Sequence, residues 1–205
     1  LDYPDEYPVH VTSFTYTDTE ATSIVQLGDQ YSLTQHWHPS NVDPRVYQLD
    51  VTIQATQIVP ISPAPESLTY RQVVPLNIAD YDDTRPSVVT TTGGDGVSDA
   101  TPNLYWPWDD DRGSLDNPLV SLPHLDCDII QCRGLVLDIT VDPLPIVATP
   151  TPQFSMFYGF ADSTGEAAGI LNDANATTRA IAAPVNPETW EGDSALFAGY
   201  HNNTP

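Results

Sequence analysis

Two histidines flank a tryptophan in the segment His36-Trp37-His38. Side chains at i and i+2 of an extended chain point the same way, so both imidazoles can reach one cation. The same spacing also suits a polar strand end with no ligand. Cys127 and Cys132 stand in CDIIQC, and no other cysteine competes for either. Their spacing allows a disulfide across a tight loop, with two free buried thiols as the alternative. Asp109, Asp110 and Asp111 carry the oxygen donors that hard cations favour. They do not follow the alternate spacing of an EF-hand loop, and they read equally as a solvated turn. No cofactor is expected beyond a structural cation. Tyr105, Trp106 and Trp108 precede these aspartates. Their flat rings can cap a core, stack on a sugar or seal a subunit contact, and interfaces favour aromatic residues. Trp190 and Phe197 are contact candidates on the same ground. Serine, histidine and aspartate are plentiful, yet none stands in a nucleophile elbow. No phosphate-cradling glycine loop or dinucleotide fingerprint is present. The expectation is a protein that is not an enzyme.

The elements that must position these groups read as strands. In residues 45–59, RVYQLDVTIQATQIV, the residues Tyr47, Leu49, Val51, Ile53 and Ala55 alternate with Gln48, Asp50, Thr52, Gln54 and Thr56. A period of two is the signature of a strand with one apolar face. Leu135, Leu137, Ile139 and Val141 repeat the pattern. Residues 9–18 read as a looser strand with His10, Thr12, Phe14 and Tyr16 on one side. Residues 22–27 and 30–37 follow, joined by a turn at Gly28-Asp29. Residues 70–79 are interrupted by Pro75, which places that strand at a sheet edge or a bulge. Residues 80–117 form a long irregular insertion in which 87–92 can pair and a short hairpin is possible. Residues 118–122 and 153–160 read as strands, 161–168 as a loop and 195–200 as a last strand. Only 170–183 has a fair helical composition. Twenty prolines break up the rest. About eight strands with long proline-rich loops predict an all-β chain, a single jelly-roll or β-sandwich, forming one domain over residues 1–205.

Charge sets the habitat and excludes partners. The chain has 28 acidic residues against 6 basic ones, a net charge of -22. All six basic residues are arginine (Arg45, Arg71, Arg85, Arg112, Arg133 and Arg179), and there is no lysine. Such a surface repels nucleic acid and anionic lipid, so direct nucleic-acid binding is not expected. In molar salt the Debye length shrinks to about 3 Å and self-repulsion is screened. The composition is similar to that of proteins from extreme halophiles. No apolar run approaches the roughly 20 residues that span a bilayer, and the opening LDYPDEYPV has no signal-peptide pattern.

The alternating strands at 47–55 and 135–141, the arginine-only basic set and the proline-rich joints together resemble the single jelly-roll capsid proteins of icosahedral haloarchaeal viruses with an internal membrane. That resemblance implies upright barrels grouped into capsomers, homo-oligomeric contacts, contacts with other capsid proteins, and proximity to the viral membrane. It implies location in the virion and no catalytic residues. A cellular counterpart would be extracellular. Two other readings accompany it. One is a secreted carbohydrate-binding module stacking sugars on Trp106 and Trp108. The other is a metalloprotein similar to the cupins, whose histidine pair has the spacing of His36 and His38; the glutamate that follows that pair in cupins has no counterpart after His38.

Overall fold

The structure is a computed structural model, and it describes residues 9–56, 68–75, 87–92, 100–105, 134–141, 152–184 and 195–203. The described chain is all-β apart from one helix. The strands are β1 (Val9–Tyr16), β2 (Ala21–Leu27), β3 (Tyr31–Pro39), β4 (Val46–Ala55), β5 (Leu68–Pro75), β6 (Ser87–Thr92) and β7 (Ala100–Tyr105). They continue with β8 (Gly134–Val141), β9 (Phe154–Ala161), β10 (Thr178–Pro184) and β11 (Ala195–Asn202), and helix α1 spans Thr164–Asp173. A large antiparallel sheet has the order β1-β2-β3-β4-β9-β11-β10-β6, and a small one the order β5-β8-β7.

The connectivity is that of a jelly roll with additions. The chain leaves the large sheet after β4 to enter the small one as β5, and returns from β8 to β9. β4 pairs with β9 while β5 pairs with β8. The arms β4–β5 and β8–β9 therefore form one antiparallel ribbon that passes from the large sheet to the small one. The chain crosses between the sheets once more from β6, which pairs with β10, to β7, which pairs with β8; the short hairpin expected within residues 80–117 is not formed by these two strands. The C-terminal hairpin β10–β11 is inserted between β9 and β6, and the meander β1–β2–β3 extends the sheet beyond β4.

Proline placement follows from hydrogen bonding. Pro75 ends β5 and Pro102 sits in β7, the two outer strands of the small sheet. A proline has no N–H for a ladder, so an outer strand is where it is tolerated. The edge position expected for the strand at Pro75 is thus observed.

The middle of the large sheet is covered on both faces. Its inner face carries Leu33, Leu49, Val51, Ile53, Phe154, Met156, Ala198 and Tyr200, packed with Ile139, Leu68, Tyr70 and Val141 of the small sheet. The alternation read in residues 47–55 accounts for this face. β9 is buried on both sides: Phe157 and Ala161 face outward with Val46, Ala195 and Phe197 against α1. Helix α1 contributes Ala167, Ile170 and Leu171 to that second core. It begins within residues 161–168, expected to be a loop, and ends at Asp173. Residues 178–183, read as helical, fall in β10 instead. The reason lies at the helix ends. Ser163 is the N-cap, and its hydroxyl accepts from the Glu166 backbone N–H at 3.1 Å. Glu166 Oε2 in turn accepts from the Asp162 N–H at 2.8 Å, a reciprocal arrangement close to a capping box. Asn175, with φ of 54°, turns the chain left-handed just after the last turn.

Candidate functional site

The two histidines do share a face, as their spacing requires. They lie on β3, and their rings are 4.8 Å apart between centroids. His36 Nε2 lies 3.4 Å from Glu20 Oε2, and His38 Nε2 lies 3.1 Å from Asp50 Oδ2. His38 Nδ1 is 2.9 Å from the Pro39 carbonyl, so both its ring nitrogens face oxygens of the protein. Asp50, on the outer face of β4, is the hub. Its Oδ1 accepts from Ser155 Oγ at 2.6 Å and from Gln48 Nε2 at 2.8 Å. Ser155 Oγ also accepts from Asn203 Nδ2 at 2.8 Å. Burial pushes the Asp50 carboxyl up, but the hydrogen bonds from Ser155, Gln48 and His38 outweigh it and hold the group below its ordinary value.

This network has the residue types of a hydrolytic triad in the wrong order. The Ser155 hydroxyl is bound to the carboxylate rather than to an imidazole, and Ser155 is buried. A nucleophilic serine needs its hydroxyl against the base. Among the described residues no group of three His, Cys, Asp or Glu side chains is arranged to hold a metal ion. What the arrangement does is pair polar groups on the outer face of β3, β4 and β9. A second cluster ties the helix down. Arg45 Nη2 reaches Asp43 Oδ2 at 2.9 Å and Glu166 Oε1 at 2.6 Å. Hydrogen bonding to Arg45 holds both carboxyls below their usual range.

The inner face presents a different surface. Paired residues of an antiparallel ladder lie on the same side. Val9 pairs with Leu27 and Val11 with Val25; after a bulge between Val11 and Ser13, Phe14 pairs with Ser23 and Tyr16 with Ala21. Those β2 residues lie, through β3, on the side of Val51 and Ile53. All four apolar residues of β1 therefore share the inner face. The expectation that His10 and Thr12 accompany Phe14 and Tyr16 is corrected: the extra residue of the bulge reverses the alternation. The small sheet reaches as far as β3, where Gln35 Nε2 donates to Tyr70 Oη at 2.7 Å. β1 lies beyond this cover. Val9, Val11, Phe14 and Tyr16 are 63, 66, 62 and 77 % exposed. Tyr47 and Phe160, on the same inner face at the end where β4 begins, are also exposed.

Of the contact candidates read from the sequence, Phe197 is corrected. It is 1 % exposed, packed beneath α1, and presents nothing at the surface. Tyr105 ends β7. Trp106, Trp108, Trp190, Asp109, Asp110, Asp111, Cys127 and Cys132 lie outside the described residues, as does the strand expected at 118–122. Sequence reasoning misses the β1 margin. Its signal is present as two short alternating runs, Val9–Val11 and Phe14–Tyr16, out of step by one residue.

Fold and surface together define an antiparallel β-sandwich with jelly-roll crossings, a capping helix and an uncovered apolar margin. No family model, no curated protein and no solved structure matches the chain.

Proposed function

We propose that this protein is a structural virion component, a capsid subunit that self-assembles into capsomers of an icosahedral shell in a hypersaline environment. The observation that carries this reading is the β1 margin: a large apolar surface left open on a chain of net charge -22. Contiguous apolar surface of this kind marks a contact site. The jelly-roll crossings of β4–β5 and β8–β9 agree with the architecture that the sequence resembles, although a fold by itself does not set function. The lysine-free, acidic composition adds the salt requirement. In dilute buffer, copies of this chain repel one another; in molar salt only contacts within about 3 Å are felt electrostatically, and apolar surfaces can meet. Partners on this reading are copies of the chain and other shell proteins. The inner viral membrane is a neighbour, and nucleic acid is not bound directly.

The test is native mass against salt. Light scattering and electron microscopy of the purified chain in several molar NaCl are expected to show large multiples of 22.4 kDa. Those multiples dissociate when salt is dialysed out. A chain that stays at 22.4 kDa in all salts refutes the reading.

A further inference from the structure

We propose that the inner face of β1, with the flanking part of β2, is the seat of a second copy of this same chain, packed face to face. This inference rests on the reading of the protein as a self-associating subunit and specifies the surface and its occupant.

Charge identifies the occupant. β1, β2 and β3 contain no Asp, Glu or Arg anywhere along their lengths, in a chain with 28 acidic residues. The acids of this region stand in the connecting turns, at Asp18, Glu20 and Asp29. A basic partner would seat on acidic surface, and this face offers none. A second acidic copy meets the least repulsion where neither side carries charge. The chain's own β1–β2 face is such a surface, and a two-fold axis brings it against itself with matching chemistry. Nor is there spare positive charge for a salt-bridged contact among the arginines whose side chains are described. Arg45 is held by Asp43 and Glu166, and Arg179 by the Ala176 carbonyl and Asn172.

The bulge decides between face and edge. β1 is the last strand of the large sheet, so its outer edge is open to strand addition among the described residues. A regular ladder needs unbroken alternation along that edge, and the bulge between Val11 and Ser13 interrupts it. The same bulge aligns Val9, Val11, Phe14 and Tyr16 on one side. It therefore blunts the edge and builds the face. β1 and β2, spaced about 4.8 Å apart and roughly 27 Å long, present on the order of 260 Å² of flat area. That is about a third of the roughly 800 Å² that each partner contributes to a standard stable interface. The contact is of a size to hold one neighbour among several, as in a shell, with association in isolation that is weak and concentration-dependent.

Sedimentation velocity across a hundredfold concentration range in 3 M NaCl tests this, combined with a photo-crosslinking phenylalanine analogue at position 14. The expected result is reversible association of the wild-type chain, with crosslinks from position 14 to residues 9–27 of another copy. Phe14→Asp with Tyr16→Asp is expected to weaken association at least tenfold while near-UV circular dichroism stays native. Phe14→Ala, which adds no charge, is expected to weaken it less but measurably, and serves if the double variant does not fold. Thr164→Asp, at an exposed site on α1, which packs on the opposite face of the sheet, leaves association unchanged. High-salt assembly that survives the double substitution overturns this interface and leaves the shell-subunit reading intact. Crosslinks confined to the same copy, or reaching only a different protein, overturn the second-copy occupant. A wild-type chain that remains monomeric at every concentration and salt overturns both.

Discussion

Gly199 sits in β11 directly beneath α1, and alanine there should destabilise the protein. A Cβ at this position would meet Leu171 Cδ2 at 2.5 Å and Ala176 Cβ at 2.9 Å. Carbon atoms pack best at about 3.5–4.0 Å, so roughly 1 Å of room is lacking. The Leu171 tip can swing, but Leu171 is wholly buried, and Ala176 has no rotamer to change. The backbone between α1 and β10 must therefore move. Overpacking of this kind costs about 1–3 kcal/mol. Alanine recovers up to about 1 kcal/mol by restricting the unfolded chain. The net loss is about 1–2 kcal/mol, which lowers Tm by about 2–8 °C in a domain of this size. Thermal unfolding followed by near-UV circular dichroism in molar KCl reads this directly. Gly169→Ala supplies the opposite sign: its Cβ meets nothing within 4 Å, and it lies inside α1. That variant should gain about 0.5–1 kcal/mol. In a Leu171→Ala background the penalty of Gly199→Ala should shrink, because the two sites share one contact. A Gly199→Ala protein with unchanged or raised Tm would refute the close approach of helix and sheet.

Other outcomes follow from the polar clusters and caps. The Asp50 carboxyl is held below its ordinary value of about 3.9, so it stabilises the fold above that pH, and the contribution is lost as pH falls through the lower folded value. Denaturant titrations should therefore show wild type more stable than Asp50→Asn at pH 6, with the gap closing below about pH 4; a gap independent of pH argues against the network. Ser155→Ala removes one donor to Asp50 and should raise the carboxyl's pKa, measurable by the shift of its titration in NMR. Ser163→Ala deletes the N-cap of α1 and should cost about 1 kcal/mol in thermal or urea unfolding, with Ser163→Asp restoring most of it.

The parts of the fold that are legible in the sequence are those in which one face decides the residue type. β4 alternates because one side of it meets the core, and β8 places Ile139 and Val141 in the same core; the boundaries of both can be read within a residue or two. The aromatic run of β9 reads as buried. Its partners do not follow, because β9 is apolar on both faces and periodicity then carries no direction. Helix α1 escapes a periodicity search for a related reason. It is ten residues long, and only Ala167, Ile170 and Leu171 are buried, so its periodic signal is short. The local signature Ser163-Thr164-Gly165-Glu166 is the better clue, since a cap is specified by adjacent residues and needs no long window. The Asp50 network lies beyond sequence reasoning. Asp50 and Ser155 are 105 residues apart and meet only because β4 pairs with β9. Phe197 reads as a surface residue on type alone, and type does not tell which side of a β-strand a helix will cover.

On the proposed reading, a strongly acidic chain that touches its own copies faces two opposed requirements. Solubility in brine favours acids spread over the surface, whereas close contact favours their absence. The structure separates the two in space. Three consecutive strands are kept free of acid and arginine, and the acids of that region are confined to the turns at their ends. The single-residue bulge in β1 then turns four apolar side chains to one side of this uncharged panel. Deleting Thr12 would test that division of labour. The deletion removes the extra residue, so Val9, Val11, Phe14 and Tyr16 fall into strict alternation and all four keep to the inner face, while the outer edge of β1 becomes regular. High-salt association through the face should persist, and the unblunted edge should add aggregation detected by light scattering, while the core built on β4, β9 and β11 keeps its thermal stability, because β1 makes no part of it. A deletion variant that associates as the wild type does, with no added aggregation, would mean that the bulge does not guard the edge.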